Sequence, residues 1–316
     1  MSRVSSSHHS RTRACLLASA IALIMNCSAR AADNLALEEV APGVLVYAGT
    51  HAEANPANIG AVANAGVIVG EAALAVIDTG GSLAFGHRLR ESIRALTSLP
   101  IRYVINTHVH PDHIFGNAAF APDDPEFVGH HKLPRAMAER GPHYQRSFER
   151  LVGRGFEGSR LVSPTVTVVD TIELDLGNRI LRLEAHPSAH TDNDLSVLDV
   201  QTGTLFAGDL VFLERTPVID GDLKGWLALI DAWRGLAAAR VVPGHGPATA
   251  PWPRALAEQE RYFRVLLVGV REVIGRGGTI REATRSVGQE ERDRWLLFED
   301  NHPRNVTATF TELEWE

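Results

Sequence analysis

Three histidines and one aspartate fall within six residues, and this cluster restricts the fold of the chain more than any other feature. The residues are His108, His110, Asp112 and His113. The preceding residues 101–105 are rich in β-branched and aromatic side chains and are typical of a strand. So many polar side chains make poor core material, because each polar group needs a partner when it is buried. The sequence therefore predicts a metal site where a strand ends, since a turning loop can direct neighbouring side chains at one or two ions.

The first 31 residues have the composition of a secretory signal peptide. Three arginines precede the twelve apolar residues 14–25, and Ala29-Arg30-Ala31 fits a small-x-small cleavage site. Twelve apolar residues are too few to span a bilayer, which needs roughly 20. We therefore expect residues 1–31 to be cleaved, the mature chain to have no membrane anchor, and the protein to reside in the periplasm or to be secreted.

Cysteine content and charge exclude several kinds of site. Cys15 and Cys27 both lie in the predicted signal peptide, so the mature chain would have no disulfide and no thiolate ligand. Residues 1–31 contain four arginines and no acidic residue, and their removal changes the net charge from −7 to −11. An acidic chain with two lysines lacks the basic stripe that binds nucleic acid. We expect a small-molecule substrate.

After residue 31 the pattern alternates strands and helices in two passes. The first pass contains a helix that begins after Ser82, and the second, which begins near Thr165, ends in a series of helices. The apolar face of the first-pass helix is predicted to contain Phe85, Leu89, Ile93 and Leu96. A second-pass helix is predicted to bury Trp226, Leu229, Ile230, Trp233 and Ala237. No linker rich in Pro, Gly or Ser interrupts the pattern, so residues 32–316 are predicted to form one α/β domain, with C-terminal helices over about residues 253–316.

Further candidate metal ligands also follow predicted strands. They are Asp78, His190, Asp209 and His245. Asp209 ends the sequence Ala-Gly-Asp, and His245 lies in Pro-Gly-His-Gly directly after the predicted strand at residues 240–242. If these strand ends meet at one edge of the structure, they build one site together with the cluster at residues 108–113.

The ordered set of motifs resembles the metallo-β-lactamase-fold hydrolases over about residues 43–246. The resemblance rests on the cluster at 108–113, Gly116-Asn117, the single His190, Ala-Gly-Asp209 and Pro-Gly-His245-Gly. It implies a four-layer αββα sandwich, with two mixed β-sheets flanked by helices and a metal pair at one edge. It also implies the ligand sets, which are His108, His110 and His190 for the first ion, Asp112, His113 and His245 for the second, and Asp209 bridging the two. Asp78 would lie behind these ligands and hydrogen-bond to them.

The implied ligands predict hydrolysis assisted by two metal ions. Two ions about 3.5–4 Å apart can share a water molecule, lower its pKa towards ~7 and polarise a carbonyl or phosphoryl oxygen. The hydroxide that bridges the ions would be the nucleophile, and Asp112 would orient it or accept its proton. Two Zn²⁺ ions per chain are expected, although imidazole and carboxylate ligands also suit iron and manganese.

The aspartate at position 209 also bears on the branch of the family. Zinc β-lactamases place cysteine there, so efficient lactam hydrolysis is not expected and weak β-lactamase activity stays an alternative. The signal peptide, residues 190–195 and the C-terminal residues 302–315 look more like the periplasmic zinc metallohydrolases that accompany quinoprotein dehydrogenases and sulfur-oxidation systems. The resemblance thus predicts an exported zinc hydrolase of an ester, thioester, lactone or amide bond, with a functional link to periplasmic quinoprotein dehydrogenases.

Two other classes of function are alternatives. A mononuclear iron enzyme that resembles the persulfide dioxygenases would use His108, His190 and Asp209 as a set of two histidines and one carboxylate. The ligands for a second ion argue against this class. A non-catalytic zinc-binding protein is disfavoured because no implied ligand has been lost.

Two basic residues after Asp209 are predicted to contact the substrate. Arg215 and Lys224 could hold a substrate carboxylate by charge, with solvated surface as the competing interpretation. His186 lies four residues before His190, but the resemblance is to the histidine that precedes a threonine. His190 is therefore the predicted ligand.

Overall fold

The computed structural model describes residues 34–316, of which Ala36–Glu316 form one compact unit. The predicted signal peptide and both cysteines lie outside the described residues. The first sheet has seven strands, paired in chain order. They are β1 (Glu38–Ala41), β2 (Val44–Tyr47), β3 (Ala65–Val69), β4 (Leu74–Ile77), β5 (Ile101–Ile105), β6 (Glu126–His130) and β7 (Val166–Val168). Strands β1 to β4 pair antiparallel, and β4 to β7 pair parallel, so the sheet is mixed.

The second sheet has six strands in the order β13-β12-β11-β10-β9-β8. They are β8 (Thr171–Asp175), β9 (Ile180–Ala185), β10 (Leu195–Asp199), β11 (Thr204–Phe212), β12 (Arg240–His245) and β13 (Ala250–Pro251). Only β11 and β12 pair parallel within this sheet. It is therefore also mixed.

Seven α-helices lie in the part of the chain that the structure describes. They are α1 (Leu83–Leu96), α2 (Pro111–Ile114), α3 (Leu133–Val152), α4 (Leu223–Trp233), α5 (Leu256–Gly275), α6 (Ile280–Ser286) and α7 (Phe298–Leu313). Short 3₁₀ segments lie at Asn117–Asp123, Gly153–Phe156 and Gln289–Arg294. Ser82 caps α1 as predicted, because its Oγ accepts a hydrogen bond from the N–H of Phe85. None of these helices is long and apolar enough to cross a membrane.

The layers are held together by two large apolar clusters. One fills the space between the sheets, where Phe206 of β11 packs against Gly66 of β3. The other joins the outer face of the second sheet to α4, α5 and α7, with Trp226 and Phe263 at its centre. The predicted sandwich of two mixed sheets flanked by helices is thus confirmed.

Several predicted details differ from the structure. Leu96 is 61% exposed rather than buried, because α1 ends there and the chain turns away. Ala237 lies beyond the end of α4 at Trp233, so it is not on the face of that helix. The last helix, which the sequence pattern predicts from about Asn305, begins earlier, at Phe298. The sequence pattern did not indicate strand β1 and helix α6, because their apolar residues do not recur with a clear strand or helix period.

Parallel pairing places the candidate ligands at one edge of the sandwich. Strands β4 and β5 run parallel and deliver Asp78 and the loop at residues 107–110 at the same end. In the second sheet β11 and β12 also run parallel, so that Asp209 and His245 emerge on neighbouring strands. The two sheets therefore present their polar strand ends to a common space.

Candidate metal centre

The first group of candidate ligands brings three imidazoles together. Nε2 of His190 lies 3.2 Å from Nε2 of His108 and 2.9 Å from Nδ1 of His110. Together with Asp209, each of these residues offers a ligand atom, and all four atoms lie within 4.8 Å of one another. The rings meet edge to face, with centroids 4.7–4.8 Å apart. This geometry directs three nitrogen atoms at one point.

The second group lies beside the first and has one carboxylate and two imidazoles. Oδ2 of Asp112 lies 3.3 Å from Nε2 of His245 and 3.9 Å from Nε2 of His113. The ligand atoms of these three residues also lie within 4.8 Å of one another. Helix α2 begins at Pro111, directly after His110, and carries Asp112 and His113 in its first turn, with the ring of His113 4.3 Å from that of His108.

The carboxylate of Asp209 lies between the two groups. Its Oδ1 is 3.2 Å from Nε2 of His113, while its Oδ2 is 3.4 Å from Nε2 of His190 and 3.5 Å from Nε2 of His245. The structure therefore brings all seven predicted ligands together, with Asp209 between the two groups. Ligation itself is a proposal that the distances support.

These residues fit a pair of divalent metal ions. His113 Nε2 and Asp209 Oδ1 are buried and, although they lie 3.2 Å apart, neither makes a hydrogen bond of acceptable geometry within the described residues. Unsatisfied buried polar atoms are costly, and a metal ion would satisfy the lone pairs that these atoms direct inward. Imidazole nitrogen and carboxylate oxygen are donors that zinc accepts in the absence of thiolates.

Burial and mutual charge set the protonation of the site. Burial favours neutral Asp209, but the imidazoles of His245 and His113 outweigh it and hold the pKa of this carboxyl well below its usual range. Burial also opposes protonation of His113, yet Asp209 and Asp78 raise the pKa of its imidazole well above the usual value. At His190 burial dominates and lowers the pKa to about 3. The carboxylate of Asp209 is thus ionised and His190 neutral, which are the forms that bind metal, whereas His113 would release its proton when a metal ion binds.

Asp78 holds the loop that carries the first ligands. Its Oδ2 lies 2.8 Å from Nδ1 of His113, and its carboxylate accepts hydrogen bonds from both N–H and Oγ1 of Thr107, at 2.9 and 2.8 Å. Thr107 Oγ1 in turn lies 3.0 Å from Nδ1 of His108. This carboxylate therefore orients His113 directly and the start of the ligand loop through Thr107, as partners of metal-binding histidines commonly do.

Backbone carbonyl groups fix two further rings. Nδ1 of His190 donates to the carbonyl oxygen of Val218 at 2.7 Å, and Nδ1 of His245 donates to that of Val62 at 2.9 Å. A ring that donates through Nδ1 keeps Nε2 free as an acceptor. Both histidines are thereby held in the tautomer that a metal ion requires at Nε2.

No sequence motif indicates the residues around His110. Its Nε2 lies 3.1 Å from Oδ2 of Asp220, and the same oxygen accepts a hydrogen bond from the guanidinium of Arg140. Burial raises the pKa of Asp220, but His110 and Arg140 outweigh it and lower the pKa to about 2. Tyr144, one turn after Arg140 on α3, has its ring 6.0 Å from that of His110. Asp220 and Arg140 are 110 and 30 residues from His110, and no local motif marks them.

Two glycines in the sequence motifs are required by the geometry of Asp209. A Cβ on Gly244 would lie 1.9 Å from Oδ1 of Asp209. Gly208 has a φ of +52°, and a Cβ there would lie 2.6 Å from the side chain of Thr107. Gly244 therefore leaves space for the carboxylate of Asp209, and Gly208 leaves space for the side chain of Thr107.

The predicted substrate-binding residues lie behind or away from the ligands. The guanidinium of Arg215 lies 3.4 Å from Nδ1 of His245, on the ring edge opposite the ligand atom, and pairs with Glu53 at 3.1 Å. Lys224 pairs with Glu316 at 2.9 Å and is partly exposed. His186 is buried and bonds to Ser196 at 2.7 Å, away from the ligand set.

Comparisons with known proteins agree with this geometry. A family model described as the metallo-beta-lactamase superfamily matches residues 59–245, a range that contains Asp78 and all seven candidate ligands. A Caenorhabditis elegans protein named beta-lactamase-like protein 2 homolog is 26% identical over 184 residues, which are 58% of this chain and 54% of that protein. The chain thus spans about half the length of this relative.

Solved structures show the same fold at low sequence identity. The inverting sec-alkylsulfatase Pisa1 from Pseudomonas sp. superposes with a TM-score of 0.68 and 18% identity, over 88% of this chain and 50% of that one. A metallo-beta-lactamase from Pontibacter korlensis gives a TM-score of 0.57 and 19% identity, over 73% of this chain and 99% of that one. The match to the Pontibacter korlensis protein thus includes nearly all of that protein's chain.

Proposed function

The chain belongs to the metallo-β-lactamase superfamily, and from this premise we propose that it is a metal-dependent hydrolase, exported and with two zinc ions per chain. Its proposed substrate is a small molecule with an ester, thioester, lactone or amide bond. A functional link to periplasmic quinoprotein dehydrogenases is part of the proposal, and it rests on the sequence resemblance alone.

The observation that carries the proposal is the position of Asp209 between two complete ligand groups. Its two oxygens face His113 on one side and His190 on the other, at 3.2 and 3.4 Å. If the site held one ion, the clustering of the ligand atoms of Asp112, His113 and His245 within 4.8 Å of one another would have no explanation. Two zinc ions bound here would supply Lewis acidity, lowering the pKa of a water molecule and polarising the scissile carbonyl group.

Asp112 is the residue best placed to handle a proton. Burial raises its pKa, but His113 and His245 outweigh burial and lower it below the usual value, so the carboxylate is ionised at neutral pH. Its side chain is 14% exposed, against 4% for Asp209, so a water molecule beside the ligands can reach it. Asp112 would therefore orient the attacking water and accept its proton.

The substrate approaches on the side of His110, Asp220 and Arg140. Their side chains are 14%, 31% and 36% exposed, whereas His108 and His113 are almost fully buried. The guanidinium of Arg140 and the ring of Tyr144 border this opening. Small molecules with one polar and one apolar part fit such a lining.

The metal content of the mature chain tests the proposal. The protein is purified without chelator or immobilised metal, and its zinc, iron and manganese are measured by plasma mass spectrometry. Two zinc ions per chain in the wild type and about one in His245→Ala are expected. One iron per chain would overturn the proposal in favour of an oxygenase that acts on persulfides.

A substrate screen follows the metal assay. Thioesters, lactones, carboxylic esters and β-lactams form the panel, with a secondary alkyl sulfate added because a structural neighbour is named as a sulfatase. Hydrolysis of any carbonyl substrate that Asp112→Asn abolishes supports the proposal. Hydrolysis of the sulfate ester alone would overturn the proposed bond class.

A further inference from the structure

The loop at residues 217–220 holds two of the three imidazoles of the first ligand group. The carbonyl oxygen of Val218 accepts from Nδ1 of His190 at 2.7 Å, and the carboxylate of Asp220 lies 3.1 Å from Nε2 of His110. The N–H of Asp220 also donates to the carbonyl oxygen of His190 at 3.1 Å. The position of this loop therefore sets the direction of both rings.

One side chain of the C-terminal helix α7 holds this loop. Asn305 Nδ2 donates to the carbonyl oxygen of Pro217 at 2.6 Å, and Asn305 Oδ1 accepts from the N–H of Ile219 at 3.0 Å. That N–H belongs to the same peptide group as the carbonyl oxygen of Val218. A single peptide unit thus joins Asn305 Oδ1 on one side to Nδ1 of His190 on the other, and hydrogen bonds in such a chain polarise one another.

The orientation of Asn305 is itself fixed by two buried aromatic residues. Its Nδ2 also donates to Tyr262 Oη at 3.0 Å, and Tyr262 Oη lies 3.0 Å from Nδ1 of His302. His302 Nε2 donates to the carbonyl oxygen of Val287 at 2.9 Å, so its Nδ1 is the acceptor and the tyrosine hydroxyl donates to it. A flipped Asn305 amide would place its oxygen against the oxygen of Pro217. Each hydrogen bond of the amide therefore has one permitted direction.

We propose that Asn305 is a positioning residue for the first metal ion and acts on His190 through the Val218–Ile219 peptide group. Asn305 is fully buried and lies outside residues 59–245, which match the family model. Helix α7 would thus complete a metal site whose ligands all come from the matched part of the chain. The inference rests on the proposed function, because it requires that a metal ion binds His108, His110 and His190.

Zinc affinity tests the inference without an activity assay. The two Zn²⁺ dissociation constants of the full chain are measured by competition with a chromophoric chelator, and thermal unfolding is recorded in parallel. We expect Asn305→Ala to raise one of the two Zn²⁺ dissociation constants about 10-fold, which is near the smallest effect seen when a partner of a metal-binding histidine is lost. The other dissociation constant should change by less than about twofold. Tyr262→Phe should raise the same constant as Asn305→Ala, by a smaller factor.

A matched control lies on the same helix. Glu312 accepts hydrogen bonds from the N–H groups of Leu223 and Lys224, at 2.7 and 3.1 Å, which lie outside the 217–220 loop. Glu312→Ala should lower the unfolding midpoint and leave both zinc equilibria unchanged. In the His245→Ala background, where the remaining equilibrium belongs to the first group, Asn305→Ala should still weaken binding about 10-fold.

The outcomes separate this inference from the proposed function. Two zinc ions in wild type with unchanged constants in Asn305→Ala would overturn the inference and leave the hydrolase proposal intact. Equal weakening of both equilibria would also overturn it, since that indicates general loosening. If Asn305→Ala does not fold, Tyr262→Phe decides by the same criteria. A wild-type chain that takes up no zinc would overturn both.

Discussion

The carboxylate of Asp78 lies 2.8 Å from Nδ1 of His113, and the backbone of Asp78 adopts a φ of +55°. Residues other than glycine rarely adopt this left-handed conformation, and aspartate and asparagine tolerate it best. Strained positions of this kind persist where the surrounding structure fixes them, often at functional sites. Here the strain turns the chain at the end of β4 so that the carboxylate reaches behind the candidate ligands.

Asp78→Asn is expected to weaken the binding of the second metal ion by about 10- to 100-fold. The asparagine keeps the backbone conformation and still accepts a hydrogen bond from Thr107, but it removes the negative charge that makes His113 a strong ligand. Competition titration with Zn²⁺ measures the effect. Asp124→Asn is the control, because Asp124 also has a positive φ, of +50°, and is exposed. Unchanged zinc constants in Asp78→Asn would show that the carboxylate does not act on the ligand.

Asp112→Asn is expected to keep the fold and lower kcat by about 10²- to 10⁴-fold on a substrate found in the screen. An amide cannot accept the proton of the attacking water, and it is a weaker metal ligand than a carboxylate. Steady-state kinetics on metal-loaded protein, with the zinc content measured on the same sample, provide the test. Lys132→Ala, at an exposed site, should change kcat by less than about twofold. Equal turnover in wild type and Asp112→Asn would exclude the proposed proton transfer.

Gly244→Ala is expected to displace the carboxylate of Asp209, because the new methyl group would lie 1.9 Å from its Oδ1. Gly244 does not have a positive φ, so the damage comes from contacts of the new Cβ, which would also lie 2.7 Å from the carbonyl carbon of Gly208 and 2.8 Å from the backbone nitrogen of Asp209. Zinc content should fall below two ions per chain, and kcat should fall at least about 100-fold, as after loss of a direct metal contact. Gly235→Ala is the matched control, since a Cβ there meets no atom within 4 Å. A Gly244→Ala protein with two zinc ions would contradict the bridging role of Asp209.

Most of the ligand set was predictable because it lies at or after the ends of strands, whereas Asp209, expected after a strand, lies within β11. His108 follows β5, and His245 ends β12, and each strand was visible as a run of β-branched residues. Parallel pairing then brings such ends to the same edge, so short sequence motifs were enough to identify the site. The layered fold followed from the same alternation of strands and helices.

The residues that support the ligands could not be predicted in this way. Asp220 and Arg140 lie beside His110 but are 110 and 30 residues away in sequence, and Asn305 acts on the site through a peptide group. None of the three belongs to a periodic pattern. For Arg215, its charge and its closeness to Asp209 in sequence predicted a contact with the substrate. The structure places its guanidinium at the Nδ1 edge of His245. Which face of a ligand a side chain reaches depends on loop conformation, and hydropathy does not encode it.

His186 is expected to make the stability of the protein depend on pH. It is 3% exposed, its Nε2 lies 2.7 Å from Oγ of Ser196, and its ring packs edge to face with Trp233. Burial, with a smaller effect of the neighbouring His130, lowers its pKa from 6.5 to about 4, while Glu184 lies 3.9 Å from Nδ1 on the exposed side. The ring is therefore neutral in the folded protein and gains a proton on unfolding below pH 6.5.

Because the unfolded chain binds this extra proton, the free energy of unfolding should fall as the pH drops from about 6.5 towards 4, and it should be independent of this group above pH 7. The loss between pH 7 and pH 5 amounts to about 2 kcal/mol for this one residue. Urea unfolding of wild type and His186→Gln at the two pH values measures it, since contributions from metal release and from other groups cancel in the difference. His143→Gln, at an exposed site, should retain the wild-type dependence. If His186→Gln lost as much stability on acidification as wild type, the ring would be protonated in the folded state, and burial would not govern its titration.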